Sequence, residues 1–313
     1  MRFFCIIIIS ISLLVSGAFA LLTFKTNSEI EKLEEEKIAV SERNTIYSAD
    51  IAALQESIDI IFAEKAELET ELVYERKMAS YKTEPTVFLT FDDGTSSNTH
   101  KILDILNEAG VKGTFFVVGS QIVNNGSVAR EAVKRIVDEG HTLAIHCYNH
   151  TYSELYKSKE AYFADFDKVV NLLKEITGTS PNIVRLPSGT YSAKLFCKQY
   201  SGTSDTYYEI VSELYARGYE VIDWNIDTED FTTSTGVDKI ISNAISGAKT
   251  RLTRTYKTAV ILMHDTVDTY KALPEIITQL KAIQTSSGKT FRFEMLENGG
   301  YVSRQVAEIT KPE

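Results

Sequence analysis

Side chains that can bind a metal ion and move protons follow five short apolar runs of the sequence. They are Asp92 and Asp93, His146 and His150, Arg185, Asp227 and Asp230, and His264. His146 and His150 have the i, i+4 spacing that can present two imidazoles to one metal ion if the loop is helical there, with Asp93 as the third ligand. Two histidines and one carboxylate leave coordination positions open, which is typical of a catalytic metal site. The alternative, two ordinary surface or core histidines, is less favoured once the other segments are considered together with this pair.

Asp92 and Asp93, the adjacent carboxylates after the first apolar run, can have two different roles. Neighbouring side chains of a strand diverge, so Asp93 can bind the metal while Asp92 takes a proton from the attacking water. One of the two could instead cap a following helix. His264 is a candidate general acid for the leaving group, although a histidine considered alone is more often structural. Together these residues indicate metal-assisted hydrolysis.

The elements that must position these residues are predicted from Pro85 onward, where short apolar runs alternate with longer amphipathic ones. We predict seven strands, at Val87–Phe91, Gly113–Val118, Thr142–His146, Ile183–Arg185, Glu220–Asp223, Ala259–Met263 and near Phe291–Phe293. Such a pattern favours a parallel barrel or a doubly wound sheet. In both folds, functional residues gather at the C-terminal ends of the strands, so the five segments are expected to meet at one mouth.

Composition excludes two other classes of protein. The chain has 313 residues, 43% of them hydrophobic and 24% charged, which is ordinary for a globular protein and excludes a wholly disordered one. Its net charge is −10, and residues 25–82 alone hold 14 acidic against 8 basic residues. Nothing resembles the basic surface that nucleic-acid binding requires, so we expect no nucleic-acid partner.

The first 24 residues are predicted to enter a membrane. Arg2 precedes a run of 22 uncharged and mostly apolar residues, 3–24, which is long enough to cross a hydrocarbon core of about 30 Å. A retained single-pass anchor is favoured over a signal peptide cleaved after the small residues Ala18 and Ala20. In either case the rest of the chain is expected outside the cytoplasm, anchored at the cell membrane or secreted.

Residues 25–84 are predicted to form a coiled-coil stalk. Seven heptads begin at Ile30, and ten of their fourteen a and d positions are apolar, with no Pro or Gly between Lys25 and Glu84. A parallel homodimer through residues 30–75 is the simplest partner for this seam, and a lone helix folded back on the domain is the alternative. Pro85 ends this segment. The sequence therefore predicts three parts: the membrane segment 1–24, the stalk 25–84 and a domain at 85–313.

Two cysteines lie in the exported part, Cys147 and Cys197. An oxidising exterior permits a bridge between them, but their separation in sequence says nothing about distance in space. Two buried free thiols are the favoured interpretation.

At this point the sequence resembles a known family, the polysaccharide deacetylases of carbohydrate esterase family 4, or NodB-homology domain, from about Thr86 to Phe293. Five motifs carry the resemblance in the family's order: Thr90-Phe91-Asp92-Asp93-Gly94, His146-Cys147-Tyr148-Asn149-His150, Arg185-Leu186-Pro187-Ser188-Gly189, Asp227-Thr228-Glu229-Asp230-Phe231 and Leu262-Met263-His264. The resemblance implies an α/β fold, a distorted (β/α)7 barrel, here preceded by the transmembrane segment and the long coiled-coil helix. It also implies hydrolysis of an N-acetyl group on an amino sugar.

The resemblance also implies roles for individual residues. Asp92 becomes the base, held by Arg185, and His264 becomes the acid, oriented by Asp230. The expected metal ligands are Asp93, His146 and His150, for Zn²⁺ or alternatively Co²⁺, Mn²⁺ or Ni²⁺. Contacts with the substrate or its oxyanion are expected from Ser188, Tyr148, Phe231 and Leu262, the first through its backbone N–H.

Two departures from the family pattern bear on these expectations. Cys147 stands where the family has Ser or Thr, which affects the geometry of the loop or its metal affinity. Phe231 replaces a Trp, which affects substrate preference more than chemistry. Because an anchored enzyme would act on its own cell envelope, the expected substrate is peptidoglycan, at N-acetylglucosamine or N-acetylmuramic acid. The alternatives are an O-acetyl esterase acting on xylan and a catalytically silent glycan-binding scaffold.

Overall fold

A computed structural model describes residues 2–232 and 234–296, and for residues 2–9, 70, 74 and 78 it describes the backbone alone. The chain divides into two compact units, one ending at Val73 and the other beginning at Tyr74. Most of the predicted membrane segment 3–24 is described, but the side chains of its first seven residues lie outside the described part. Among the described residues, no helix combines the length and the apolar character that a membrane crossing needs.

The first unit consists of one helix, α1 (Arg2–Thr83), which continues into the second unit. The sequence predicted a continuous helix over residues 25–84, and α1 ends one residue before Glu84 as expected from Pro85. The ten apolar residues at the predicted a and d positions are all exposed, with Ile51 67% exposed and Ile58 43% exposed. The positions of the predicted seam are therefore exposed in the part of α1 that the structure describes.

The second unit is an α/β domain whose strands are all parallel. The described residues contain eight strands: β1 (Thr86–Asp92), β2 (Thr114–Val118), β3 (Thr142–Cys147), β4 (Ile183–Val184), β5 (Glu220–Val221), β6 (Ile226–Asp227), β7 (Thr258–His264) and β8 (Arg292–Glu294). They form one sheet in the order β5-β4-β3-β2-β1-β7-β6, with β8 pairing with β1. The parallel α/β fold is thus confirmed, with one strand more than predicted.

Helices connect these strands. They are α2 (Ser97–Ala109), α3 (Gly119–Asn124), α4 (Gly126–Asp138), α5 (Tyr152–Leu155), α6 (Lys159–Thr177), α7 (Gly189–Ser201), α8 (Asp205–Ala216), α9 (Val237–Arg251) and α10 (Val267–Ala282). Their ends follow from local chemistry: the Ser96 hydroxyl accepts the Asn98 N–H at the start of α2, and Gly110 ends that helix with φ +65. Ser158 and Gly178 bound α6 in the same way.

The sheet is distorted at β1 and stays open at its ends. One side of β1 pairs with β7 along its whole length, whereas the other side pairs with β8 at residues 86–88 and with β2 at residues 90–92. No ladder joins β5 to β6 within the described residues, although a closed barrel would need one. The predicted (β/α)7 barrel is therefore corrected to a curled, open half-barrel.

Two hydrophobic clusters cover the faces of the sheet. The larger one packs the helices against alternate strand residues such as Val87, Leu89 and Phe91. The smaller one contains the intervening residues, Phe88 and Phe116 among them, and Tyr81 from the end of α1. Because successive strand residues face opposite sides, β1, β2, β3, β4 and β7 contribute to both clusters. Both faces of β1 are therefore buried, and Asp92 lies where that buried strand ends.

Candidate active site

The two aspartates at the end of β1 lie side by side but in different environments. Asp92 is the last residue of the strand and is buried, and its partner in the ladder with β7 is His264. Asp93 leaves the strand with a left-handed backbone, φ +67, and its side chain is 42% exposed. The chain turns between the two residues, so their carboxylates serve different neighbours.

Asp93, His146 and His150 form a cluster of candidate metal ligands. The Oδ1 atom of Asp93 lies 3.5 Å from the Nε2 atom of His146 and 3.5 Å from that of His150. One ligand atom from each residue lies within 4.8 Å of the others. The sequence-predicted ligand set is thus brought together by the ends of β1 and β3.

The donors of this cluster fit a divalent cation. Asp93 Oδ1 is a buried atom without a hydrogen-bond donor among the described residues. The His146 Nδ1 atom lies 2.7 Å from the backbone carbonyl of Arg185, so it donates there and leaves the lone pair of Nε2 free. Burial lowers the pKa of His146, which keeps its imidazole neutral as a metal ligand requires. Two nitrogens and one carboxylate oxygen suit Zn²⁺ and similar cations.

The loop that carries these histidines is held by a residue that the sequence analysis missed. Asp165, on α6, accepts the backbone N–H groups of Tyr148 and Asn149 at 2.7 and 2.8 Å. Burial raises the pKa of this carboxyl even though the two hydrogen bonds oppose the shift. Nothing in the sequence singled out Asp165, because it lies mid-helix and 15 or more residues from its partners.

Arg185 holds the candidate base from inside the protein. Its side chain has no solvent exposure, and its Nη1 atom donates to Asp92 Oδ1 at 2.8 Å and to Thr90 Oγ1 at 2.9 Å. Its other nitrogens donate to the carbonyls of Ile222 and Asp223. The guanidinium also lies 4.1 Å from the ring centre of Phe116. Five contacts therefore fix both the Arg185 side chain and the Asp92 oxygen that it binds.

His264, at the end of β7, is paired with Asp230 as the motif predicted. The Nδ1 atom of His264 lies 2.7 Å from Asp230 Oδ1, and its backbone N–H donates to Oδ2 at 2.6 Å. The hydroxyl of Thr269 donates to the same Oδ2 atom. Burial alone would lower the pKa of His264, but the hydrogen bond and the charge of Asp230, with smaller contributions from Asp92 and Asp93, raise it to about 9. His264 is therefore protonated at neutral pH.

The remaining residues of the fourth and fifth motifs form the edge around His264. Phe231 is 62% exposed, and its ring centre lies 5.9 Å from that of His264. Asp227 is exposed and accepts the N–H of Glu229. Leu262 is buried in β7. Because Leu262 is only 3% exposed, its side chain offers almost no surface to a substrate.

Ser188 begins α7 with a left-handed backbone, φ +70. The Thr190 N–H, two residues later, donates to both oxygens of Asp223, so the carboxylate fastens this turn. Asp223 ends a predicted strand, but the sequence did not indicate its partner, which lies 33 residues away. A Cβ atom at Gly189 would lie 2.8 Å from the Trp224 ring, so the turn packs directly on that indole.

Two tyrosines lie on the segment that carries the two histidines. Tyr148 packs on Gly119, with the Lys168 ammonium 5.7 Å from its ring centre. The ring next to His150 is Tyr152, at 5.2 Å between centres. A hydrogen bond with Ser188 lowers the pKa of Tyr152, but burial outweighs it and raises the pKa. Tyr152 is therefore an aromatic neighbour of the cluster.

Three further buried groups are two thiols and a histidine. Cys147 and Cys197 are both buried free thiols, as favoured. Burial raises the pKa of Cys147 well above its ordinary value, so the thiol stays protonated. His141 directly precedes β3 and lies at the opposite end of that strand from His146. Burial lowers its pKa to about 4, so it is a neutral core histidine.

Comparison with known proteins agrees with this geometry. The sequence pattern of the family Polysaccharide deacetylase matches residues 79–203. YheN of Bacillus subtilis (strain 168), whose name assigns it to the polysaccharide deacetylases, is 31% identical over 215 residues, which are 68% of this chain and 67% of YheN. The chain belongs to the polysaccharide deacetylase family and is an enzyme of that class.

Two further relatives have named substrates. The peptidoglycan-N-acetylglucosamine deacetylase PgdA of Listeria monocytogenes is 30% identical over 209 residues, which are 64% of this chain but only 37% of PgdA. The solved catalytic domain of peptidoglycan N-acetylglucosamine deacetylase from Eubacterium rectale is 30% identical, with a TM-score of 0.56. That match covers 66% of this chain and 86% of the solved one.

Proposed function

We propose that this enzyme removes N-acetyl groups from amino sugars of a cell-envelope polysaccharide, namely peptidoglycan, at N-acetylglucosamine or N-acetylmuramic acid. The observation that carries the proposal is that three groups of interacting side chains meet at neighbouring strand ends. These are the Asp93–His146–His150 cluster, the Asp92–Arg185 pair and the His264–Asp230 pair. Two peptidoglycan deacetylases among the relatives favour that polymer as substrate.

Each of these groups has its own role in the hydrolysis. A divalent cation held by Asp93, His146 and His150 would polarise the acetamide carbonyl and make water a better nucleophile. Asp92 takes the proton of the attacking water, while the hydrogen bond from Arg185 holds its carboxylate in place. The buried ion pair with Arg185 therefore positions the Asp92 carboxylate.

The leaving group and the oxyanion need further residues. His264 is protonated beside Asp230 and gives its proton to the departing amine, so the free amino sugar and acetate are released. The backbone N–H of Ser188 supports the oxyanion, a type of contact whose loss typically costs on the order of 100-fold in rate. Phe231 covers the sugar at the edge next to His264.

We also propose that the enzyme works outside the cytoplasm, held at the cell membrane by residues 1–24 or secreted if that segment is cleaved. The support is the composition of the segment, which places Arg2 ahead of a mostly apolar run. Fractionation of cells that express the full chain tests this. Recovery in the cytosolic fraction would overturn it.

The exposed heptad positions of α1 support a homodimer through residues 30–75. Burying ten apolar side chains against a second copy removes them from water, and Lys37, Asn44 and Lys65 at a positions favour a defined register. Sedimentation equilibrium of the full chain in detergent, with Leu54→Asp/Ile58→Asp as the variant, tests this. A monomer at micromolar concentration would contradict it.

The experiment for the proposed function measures acetate release by the full chain. The substrates are peptidoglycan, chitin oligomers and acetylated xylan, before and after chelation and with Zn²⁺ or Co²⁺ restored. We expect metal-dependent release from peptidoglycan that is lost in Asp92→Asn and His264→Ala. Release from xylan alone would assign an O-acetyl esterase. Glycan binding without any release would assign a scaffold.

A further inference from the structure

One exposed face of α7, adjacent to the candidate site, has a composition that the proposed mechanism does not explain. Tyr191, Lys194, Leu195 and Lys198 are spaced i, i+3, i+4 and i+7, so they form a single stripe about 10 Å long. Tyr191 is 78% exposed and Leu195 is 51% exposed. The opposite side of α7, with Ala193 and Cys197, is buried in the domain.

The charge of this stripe also stands out. Helix α7 carries two lysines and no acidic residue, in a chain whose net charge is −10. Neither lysine forms an ion pair with an acidic side chain in the part of the chain that the structure describes. The Lys194 ammonium instead lies 2.5 Å from the Tyr208 hydroxyl and 4.8 Å from the Tyr208 ring centre. Tyr208 thus holds Lys194 in place without neutralising it.

The stripe is continuous with the candidate site. Helix α7 begins at Gly189, directly after Ser188, and Tyr191 lies in its first turn. The Asp223 carboxylate anchors that turn by accepting the Thr190 N–H. The backbone carbonyl of Asp223 accepts a hydrogen bond from Arg185. A polymer bound along α7 would therefore run into the site that holds the reacting sugar.

We propose that Tyr191, Lys194, Leu195 and Lys198, here called the α7 face, bind a stretch of the substrate glycan that carries carboxylate groups. This inference rests on the proposed function and narrows it to acidic glycans over neutral ones. Tyr191 and Leu195 offer apolar surface to the faces of sugar rings. The two lysines offer charge to carboxylates on neighbouring residues of the strand, such as those of peptidoglycan.

The test compares two glycans that differ in charge. Acetate release by the full chain with Zn²⁺ is measured on soluble peptidoglycan strands, which carry carboxylates, and on chitin hexamers, which are neutral. The variant is Lys194→Gln/Lys198→Gln. The matched control is Lys134→Gln/Lys174→Gln, which removes two charges from the exposed faces of α4 and α6.

We expect the α7 variant to raise KM for peptidoglycan on the order of fivefold, the effect of two exposed ion pairs, while kcat and the values for chitin hexamers stay unchanged. Raising NaCl from 50 to 500 mM should weaken wild-type binding of peptidoglycan and leave the variant unaffected. Equal effects on the two glycans, or no effect on either, would overturn the proposal.

A binding measurement separates this inference from the proposed function. Asp92→Asn, with and without the α7 substitutions, is co-sedimented with insoluble peptidoglycan, which requires no turnover. We expect the α7 substitutions to reduce the bound fraction of protein. Unchanged binding would overturn the proposal that the α7 face binds glycan, even if acetate release is confirmed. If the wild type releases no acetate from any glycan, the proposed function fails, whereas this measurement still decides the α7 face.

Discussion

Arg185 Nη1 lies 2.8 Å from Asp92 Oδ1, and the two side chains are 0% and 4% exposed. A buried guanidinium and a buried carboxylate each require the other, since either one alone would be an uncompensated charge. Thr90 and two backbone carbonyls accept the remaining Arg185 hydrogen bonds that the structure shows. The pair is therefore both part of the core and part of the site.

Replacing Arg185 with Met should destabilise the fold by about 3 kcal/mol and abolish acetate release, because it leaves Asp92 buried without a partner. Urea unfolding followed by circular dichroism measures the first effect. The control is Arg130→Met, whose pair with Glu175 at 2.9 Å is largely exposed and should contribute less than about 1 kcal/mol. Similar losses for the two variants would contradict this account.

Acetate release should decline as the pH rises through about 9, because His264 must be protonated to donate and its pKa is raised to about 9. Asp230→Asn removes the charge that raises this pKa, so the alkaline limb should move to lower pH. The rate profile from about pH 6 to 10 measures both effects. A flat profile, or a limb that stays in place in Asp230→Asn, would exclude His264 as the acid.

The same pair links stability to pH. A group with a raised pKa in the folded state stabilises the protein fully below its unfolded pKa, and the contribution is lost as the pH rises through the folded value. The His264 contribution should therefore be complete below about pH 6 and gone above about pH 9. Urea midpoints across this range, compared with those of His264→Gln, measure it.

Asp165→Ala should weaken zinc binding roughly tenfold without removing a ligand, because the loop between His146 and His150 loses both hydrogen bonds that hold it. Competition with a fluorescent chelator measures the affinity directly. Asp167→Ala, two residues away in an exposed pair with Arg217, is the matched control. Equal affinities in the two variants would mean that Asp165 does not position the loop.

Gly189→Ala should destabilise the fold more than Gly178→Ala. The two glycines have φ values of +77 and +76, so the backbone strain is the same, about 1 kcal/mol. Only at Gly189 would the new Cβ meet a ring, 2.8 Å from Trp224, whereas nothing lies within 4 Å at Gly178. The difference between their urea midpoints isolates that contact, and identical midpoints would show that Trp224 moves aside freely.

Apolar runs were sufficient to predict most of the sheet. The long strands β1, β2, β3 and β7 were predicted to within about one residue, because each is buried on both faces. Strand β6 was missed, because Ile226–Asp227 is only two residues long and includes an exposed aspartate. The opening between β5 and β6 could not be predicted, since the short segment 222–225 between them gives no local sign that the two strands do not pair.

The site was predictable where it depends on strand ends. Asp93, His146 and His150 follow apolar runs, so the convergence of parallel strands alone brings them together. Asp165 and Asp223 were not predictable, because their partners are backbone N–H groups distant in sequence. Tyr148 was expected to contact the substrate as an aromatic residue near the mouth. Its packing on Gly119 depends on a tertiary contact that spacing does not reveal.

Asp92 and His264 are direct partners in the ladder between β1 and β7. Their spacing is therefore set by main-chain hydrogen bonds between two central strands and does not depend on the conformation of any surface loop. This makes the domain a tolerant scaffold for protein engineering. We expect that the segments beyond Gly189, after β4, and beyond Asp230, after β6, can be exchanged for those of relatives to alter which polymer is bound, while base and acid keep their separation.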